Sequence, residues 1–370
     1  MNVLLRWFGA CVRRIAGRLD LPLTAALLAL MAIGLVVLHS AGGDSSGLVV
    51  SQGARFAVGL GALLLISNIP PARLRLWTPW LYAGSLLVLL LVPVLGTGRS
   101  GRHWLDLGVF YLQPAELMKL TVPMMVAWIL QREVLPPRFG AVLVCAAAIG
   151  VPTALIVIQP DLGTGLLIGL SGAFAVYLAG LSWWYMAAAA AAAAVAAPLA
   201  WFFGLKTYQK NRLLTFVDPD SDPLGTGWNI LQSKIAVGSG GLTGKGWGQG
   251  TQSHLNFLPE HTTDFVFAVL SEEFGWIGVC VVLGLFAFVI GRCLWIAADT
   301  RETYGRLVAG ALALTAAVYV LVNGGMVAGL LPVVGVPMPL LSYGGTSAVS
   351  LLAGFGIVMS VGAHKRFIGG

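Results

Sequence analysis

The sequence predicts an all-α fold, namely a polytopic integral membrane protein with ten transmembrane helices. Of the 370 residues, 58% are hydrophobic and only 10% are charged, whereas a soluble domain carries about a quarter charged residues. The mean hydropathy is +0.86, and apolar runs of about twenty residues, long enough to cross a bilayer as helices, recur along the chain. This composition excludes a soluble globular domain, and the abundance of Leu, Val, Ala and Trp excludes a disordered low-complexity chain.

The ten predicted spans are the apolar runs taken in chain order. They follow a basic lead, residues 1–20, which we interpret as retained because the next apolar run is too long for a signal peptide and lacks a small-residue cleavage site. The seventh span contains eight consecutive alanines, a surface of small residues for helix packing, and Pro198, which should kink it. The spans lie near 21–40, 48–67, 76–95, 112–130, 139–158, 162–181, 184–203, 264–290, 305–330 and 343–363.

Charge asymmetry orients these spans, because short cytoplasmic loops are enriched in Arg and Lys. With the N-terminus inside, the inner segments contain 13 of the 22 basic residues and only 4 of the 15 acidic ones. We therefore expect both termini in the cytoplasm, with the basic residues contacting anionic lipid rather than nucleic acid. The inner basic residues are Arg6, Arg13, Arg14, Arg18, Arg73, Arg75, Arg132, Arg138, Arg292, Arg301, Arg306, Lys365 and Arg366.

A long segment, residues 204–263, separates the seventh and eighth spans and is predicted to be a large periplasmic loop. Ordinary connections have about 4–6 residues, and much longer ones are functional or disordered. Several tryptophans and aliphatic residues favour order at the membrane surface, and residues 228–237 are predicted to form a short amphipathic helix.

Three familiar patterns are incomplete in this chain. Residues 239–246 lack the first Gly and the final Ser or Thr of a phosphate-binding loop. Three aspartates between 218 and 222 have calcium-loop spacing but lack its central Gly and last Glu. The five histidines and four scattered cysteines form no zinc or disulfide pattern. No metal-ligand set is therefore predicted.

Polar side chains collect at the outer ends of the spans, where burial in lipid is costly and a functional role is the first hypothesis. The motif GRHW contains Arg102 and Trp104, and QPAELMKL contains Glu116 and Lys119. The last two are three residues apart on a helix, so their side chains can meet. They form either a structural ion pair or part of a site, and Trp104 is either an interfacial anchor or a ligand contact.

Three more sets lie on the same side of the membrane. Asp161 in QPDLGTG either caps the sixth span or contributes to a site. Asp264 lies at the mouth of the eighth span, with Glu272 and Glu273 deeper in it, more carboxylates than a structural helix needs. Residues 332–345, which include Ser342, contain three prolines and several glycines, so irregular backbone is predicted where it lines a cavity.

These motifs resemble the SEDS family of bacterial cell-wall proteins. The resemblance rests on GRHW, QPAELMKL, QPDLGTG, the run from KNRLLTFVDPDSDPLGTGW to HTTDFVFAVLSEEFGW, and LPVVGVPMPLLSYGGTS. They occur in order along nearly the whole chain, and their amino-acid sequences are most similar to those of the family member that acts in cell elongation. The resemblance implies one ten-helix SEDS domain over residues 1–370 and peptidoglycan glycosyltransferase activity on lipid II. It also implies a periplasm-facing site in the bacterial inner membrane, a class B penicillin-binding protein as transpeptidase partner, and other membrane proteins of the rod-shape machinery.

The resemblance also assigns roles to residues. Asp264 matches the family's essential Asp and is the expected general base for an inverting transfer, whose leaving pyrophosphate needs positive charge rather than a proton donor. Lys119, Arg102 and a divalent cation, Mg or Mn, are the candidates for that charge. Trp104 is expected to stack on sugar or lipid. The other expected substrate-binding residues are Glu116, Asp161, Glu272, Glu273 and Ser342.

Other functions stay open at this point. An intramembrane set of charges with broken backbone is also typical of a carrier, so a lipid II flippase is the alternative from the transport class. A division-type paralogue of the same family and a purely scaffolding subunit are the others.

Overall fold

A computed structural model describes residues 18–43, 46–97, 103–106, 108, 111–204, 206–218, 226–251 and 262–365. Seven helices among the described residues are long and apolar enough to cross a membrane, and three helices of 17 residues occupy the fourth, sixth and seventh predicted spans. The chain is thus a mostly helical, multi-pass membrane protein. The described elements are α1 (Leu21–Ala41), α2 (Ser46–Ser67), α3 (Pro71–Leu95), β1 (Leu105–Asp106), β2 (Tyr111–Leu112), α4 (Pro114–Leu130), α5 (Phe139–Ile158), α6 (Leu162–Leu178), α7 (Trp183–Leu199), a π-helical turn (Ala200–Gly204), α8 (Thr207–Val217), α9 (Thr226–Ser239), α10 (Val266–Ala298), α11 (Thr303–Val327) and α12 (Thr346–Lys365).

Two helix boundaries differ from the predicted ones, the start of α3 and the end of α10. Helix α3 begins at Pro71 rather than near 76, because proline suits the first turn of a helix. Helix α10 extends to Ala298 rather than 290. Its additional turns contain Arg292, whose guanidinium lies 2.8 Å from the carboxylate of Asp20. Asp20 also caps α1 by accepting a hydrogen bond from the Leu23 amide, so one carboxylate fixes two helix ends.

The predicted outer segment, residues 204–263, contains helices in those of its residues that the structure describes. Helix α9 covers the expected amphipathic stretch, residues 228–237, and α8 precedes it. The Ser233 hydroxyl of α9 donates to the Val327 carbonyl at the end of α11. Helix α9 is therefore attached to the membrane-spanning helices rather than suspended above them.

Helices α11 and α12 form the centre of the molecule. Both are mostly buried, whereas only 22% of the apolar window is buried in each of α2, α3 and α5. Helix α12 packs along α2, and α11 contacts α4, α6 and α10. The segment between α11 and α12, residues 328–345, is irregular and contains the stretch 332–345 for which irregular backbone was predicted. It lies against buried helices, where non-helical backbone is tolerated at membrane depth.

Helix α10 is interrupted at Gly275, which has φ of 62° and ψ of −161°. In a continuous helix the amides of Trp276 and Ile277 would donate to the carbonyls of Glu272 and Glu273. Here all four groups bond to a loop that follows α9, residues 240–246, which we call the clamp loop. The four bonds are Trp276 N to Gly241 O at 2.9 Å, Ile277 N to Leu242 O at 3.1 Å, Lys245 N to Glu272 O at 3.0 Å and Gly246 N to Glu273 O at 3.0 Å.

Replacing Gly275 by alanine should destabilise the protein. The positive φ disfavours a side chain, at a cost of about 1–3 kcal/mol, and the new Cβ would overlap the backbone of Leu242 and Gly244. Thermal unfolding in detergent should show a lower midpoint for Gly275→Ala. Gly284→Ala is the matched control in the same helix, because nothing lies within 4 Å of its Cβ position. Equal midpoints for the two variants would contradict this account of the interruption.

Candidate active site

Glu116 and Lys119 form a buried ion pair near the N-terminal end of α4. The helix begins at Pro114, which places Glu116 in the first turn, where the helix dipole favours a carboxylate. Lys119 Nζ lies 2.6 Å from Glu116 Oε1, with side-chain exposures of 13% and 6%. The second carboxylate oxygen accepts a 2.7 Å hydrogen bond from Ser350 Oγ of α12. The predicted i,i+3 contact is present, and Ser350 fixes its orientation.

This ion pair lies at the wall of a cavity of about 60 Å³ between α4, α11, α12 and segment 328–345. The Lys119 ammonium lies 4.7 Å from the ring centroid of Tyr319, a cation–π distance. Ser342 also lines the cavity, and its hydroxyl accepts a 2.8 Å hydrogen bond from the Met338 amide. The remaining wall is largely apolar, so the cavity combines one fixed cation with a hydrophobic lining.

Asp264 lies just before α10, which begins at Val266 with Phe265 in the capping position. The backbone carbonyl of Asp264 accepts a 2.9 Å hydrogen bond from the side-chain Nδ2 of Asn323. The same Nδ2 group donates to the Val336 carbonyl at 2.7 Å. Asn323 is fully buried. A Cβ on Gly335, whose φ is +74°, would lie 3.6 Å from a carboxylate oxygen of Asp264. Asn323 therefore ties Asp264 to segment 328–345 with its carboxylate near Gly335.

Segment 328–345 joins the two parts of the site. It reaches Asp264 through Gly335 and Val336, and it lines the cavity beside Lys119 through Pro337 to Leu340 and Ser342. The expected base and the expected cation thus adjoin one irregular segment of backbone.

Asp161 caps α6 by accepting a 3.0 Å hydrogen bond from the Thr164 amide. Capping, one of the two predicted roles, is therefore present, and the expected contact of Asp161 with substrate stays a prediction.

Glu272 and Glu273 lie away from the cavity beside Lys119. Glu272 is fully buried and accepts hydrogen bonds from Lys245 Nζ at 2.6 Å and from the Thr251 amide at 2.9 Å. Glu273 accepts a short hydrogen bond from the Ser40 hydroxyl of α1. Glu272 thus holds the clamp loop against α10, and Glu273 holds α1 against it. The expected contact of the two carboxylates with substrate stays a prediction.

The GRHW motif is described only in part. Arg102 lies outside the described residues. Trp104 is half-buried, and its carbonyl accepts a 2.7 Å hydrogen bond from the Thr97 amide. Within the described ranges, no group of three or more His, Cys, Asp or Glu side chains is arranged to hold a metal ion.

Ser350, Tyr319 and Asn323 belong to the site but were not among its predicted residues. All three are polar side chains within otherwise apolar helices, α12 and α11. Intramembrane polarity, the signal that selected Glu116 and Lys119, applies to them also, although more weakly because they carry no charge.

Comparisons with known proteins agree with these motifs. A family model described as cell cycle protein, for FtsW, RodA and SpoVE, matches residues 21–367. The chain is 46% identical to the peptidoglycan glycosyltransferase MrdB of Escherichia coli K12 over 351 residues, an alignment that covers 95% of each chain. A solved chain from a peptidoglycan synthase complex that coordinates polymerization and crosslinking is 32% identical, with a TM-score of 0.83 over 94% of this chain and 98% of that one. The rod shape determining protein RodA of Thermus thermophilus is 29% identical, with a TM-score of 0.72 over 94% and 97%.

Proposed function

This chain belongs to the cell cycle protein family of FtsW, RodA and SpoVE, and on that premise we propose that it is a peptidoglycan glycosyltransferase that polymerises lipid II during cell elongation. The observation that carries the proposal is the 46% identity to the E. coli glycosyltransferase over 95% of both chains. The site supports it, because a carboxylate and a fixed cation adjoin the same segment, residues 328–345.

The reaction joins two lipid-linked disaccharides with inversion at the anomeric carbon. Asp264 accepts the proton of the acceptor sugar's 4-hydroxyl, whose oxygen forms the new bond to the donor's anomeric carbon. The bond from that carbon to the pyrophosphate oxygen breaks, and the pyrophosphate leaves with the electron pair. One base is sufficient, because the leaving group departs as an anion, whereas a glycoside hydrolase uses two carboxylates.

Lys119 supplies positive charge to that leaving group. Its position is fixed by Glu116, which is itself fixed by Ser350, and a preorganised cation needs no reorganisation when charge develops. The carboxylate makes the resting pair neutral, so Lys119 is not left as an unpaired charge at membrane depth. Trp104, Arg102, Asp161, Glu272, Glu273 and Ser342 are the further residues that we assign to substrate binding.

The proposal includes ten spans in the bacterial inner membrane, with the site facing the periplasm and a class B penicillin-binding protein as transpeptidase partner. The partner is supported by the similarity to a chain from a synthase complex of polymerization and crosslinking. Other membrane proteins of the rod-shape machinery are expected beside them.

The orientation predicts that residue 221, in the outer segment, is accessible from the periplasm. Ser221→Cys, in a variant whose four native cysteines are replaced, should react with an impermeant maleimide in intact spheroplasts. A cysteine at Arg138, in a predicted inner loop, is the control and should react only after the membrane is disrupted. The reverse pattern would contradict the orientation.

A polymerisation assay tests the activity itself. The purified chain with lipid II should give glycan polymer on a gel, and addition of the transpeptidase partner should increase the yield. A flippase or a scaffold would give no polymer under the same conditions. Polymer from the partner alone would also contradict the assignment to this chain, so that control is required.

A further inference from the structure

Arg55 is a cation within a membrane-spanning helix. It lies nine residues after the start of α2 at Ser46, which places it about 14 Å along the helix. A charge at this depth is costly and normally has a partner. Among the described residues, no carboxylate forms a salt bridge with Arg55. Its Nη1 atom is buried and has no hydrogen-bond partner there.

The guanidinium of Arg55 is nevertheless held in position. Its central carbon lies 4.2 Å from the ring centroid of Tyr343, whose amide donates to the Thr262 carbonyl at 2.8 Å. The side-chain amide of Gln52, one turn before Arg55, bonds to the backbone of Ser342 and Gly344. Stacking on an aromatic ring orients a guanidinium without neutralising it. Arg55 is thus oriented by contacts that supply no negative charge.

Arg55 and Lys119 both adjoin segment 328–345, at different residues. Segment 328–345 lines the Lys119 cavity through Ser342, while Tyr343 and Gly345, the next residues of the segment, lie against Arg55. Lys119 is paired with Glu116. The site therefore contains one neutralised cation and one that is not.

A phosphate group would supply the anionic hydrogen-bond acceptor that Arg55 lacks among the described residues. Its planar guanidinium presents N–H donors in a fork that matches phosphate oxygens, and such charge-assisted pairs are among the stronger hydrogen bonds. The Thr346 hydroxyl, directly after Gly345, is also buried without a hydrogen-bond partner among the described residues. The proposed reaction uses two lipid-linked substrates, and each carries a pyrophosphate.

We propose that Arg55 binds the pyrophosphate of a polyprenyl-linked substrate, at a position separate from the one that Lys119 serves. The assignment rests on the proposed glycosyltransferase function. It gives each of the two lipid-linked substrates its own cation, and both cations adjoin segment 328–345.

Binding of undecaprenyl pyrophosphate to the purified full-length chain in phosphatidylcholine nanodiscs tests the assignment. The wild type should bind two molecules, and Arg55→Gln should weaken one of the two binding events about 10- to 100-fold, the effect of losing hydrogen bonds to a charged group. Arg55→Lys should fall in between, because it keeps the charge and loses the fork. Arg75→Gln is the matched control and should bind normally, since Arg75 pairs with Glu302.

Stability without lipid separates this role from a structural one. Removal of an uncompensated cation should leave the unfolding temperature of Arg55→Gln unchanged or raise it. A lower unfolding temperature, or wild-type affinity in both Arg55 variants, would overturn the proposal. The same holds if the variants lose only their response to phosphatidylglycerol added to the nanodiscs, because Arg55 would then contact bulk phospholipid. A wild-type chain that binds the pyrophosphate through Arg55 but forms no polymer would support this assignment and contradict the proposed function.

Discussion

Asp264→Asn should abolish glycan polymerisation and leave the protein folded. The amide cannot accept a proton from the acceptor hydroxyl, and loss of a general base typically lowers the rate about 10²–10⁴-fold. The backbone of residue 264 should stay in place, because its carbonyl is held by Asn323, which the substitution does not touch. Polymer yield and the unfolding midpoint, measured on the same preparation, check the two parts of this expectation.

A capping role for Asp264 predicts a different result. Asparagine caps helices as well as aspartate does, so a residue that only stabilised the start of α10 would tolerate the change. Asp106→Asn is the matched control, since Asp106 is exposed and its side chain accepts from the Gly108 amide, a contact that asparagine keeps. A folded Asp264→Asn protein with wild-type activity would exclude the carboxylate as the base.

Lys119→Met should abolish activity and also lower stability. It leaves Glu116 buried with its charge uncompensated, and breaking a buried ion pair on one side typically costs about 3–5 kcal/mol. Glu116→Gln should be destabilising for the same reason, with Lys119 as the unpaired group. Unfolding midpoints and polymerisation rates of both single variants are the measurements.

The double variant separates the two roles of the pair. Glu116→Gln combined with Lys119→Met removes both charges, so most of the lost stability should return while activity stays absent. Ser350→Ala is a milder control, because it removes one hydrogen bond to Glu116 and leaves the pair intact. If the double variant were as active as the wild type, the pair would have only a structural role.

Local patterns in the sequence predicted much of the fold. Apolar runs located the helices because the length of a span is set by the bilayer. The Glu116–Lys119 contact and the Asp161 cap were predictable because they depend on spacings of three residues along one helix. The irregular segment 328–345 was predictable from its prolines and glycines.

Contacts between distant parts of the chain were not predictable in this way. Ser350 reaches Glu116 across 234 positions, and Asn323 reaches Asp264 across 59. Nothing in the spacing of α11 or α12 indicates which helix each will face. Glu272 and Glu273 stood out as charges inside a span, yet their partners lie in the clamp loop and α1, which the sequence alone does not bring together.

The clamp loop mechanically couples the outer segment to the helix that follows Asp264. Four backbone groups of α10 find their partners only in this loop among the described residues, and each would cost several kcal/mol if left unsatisfied in hydrocarbon. We therefore expect the loop and the turns of α10 on either side of Gly275 to move together. A displacement of the segment that contains α9 would then reach α10, whose first turn follows Asp264.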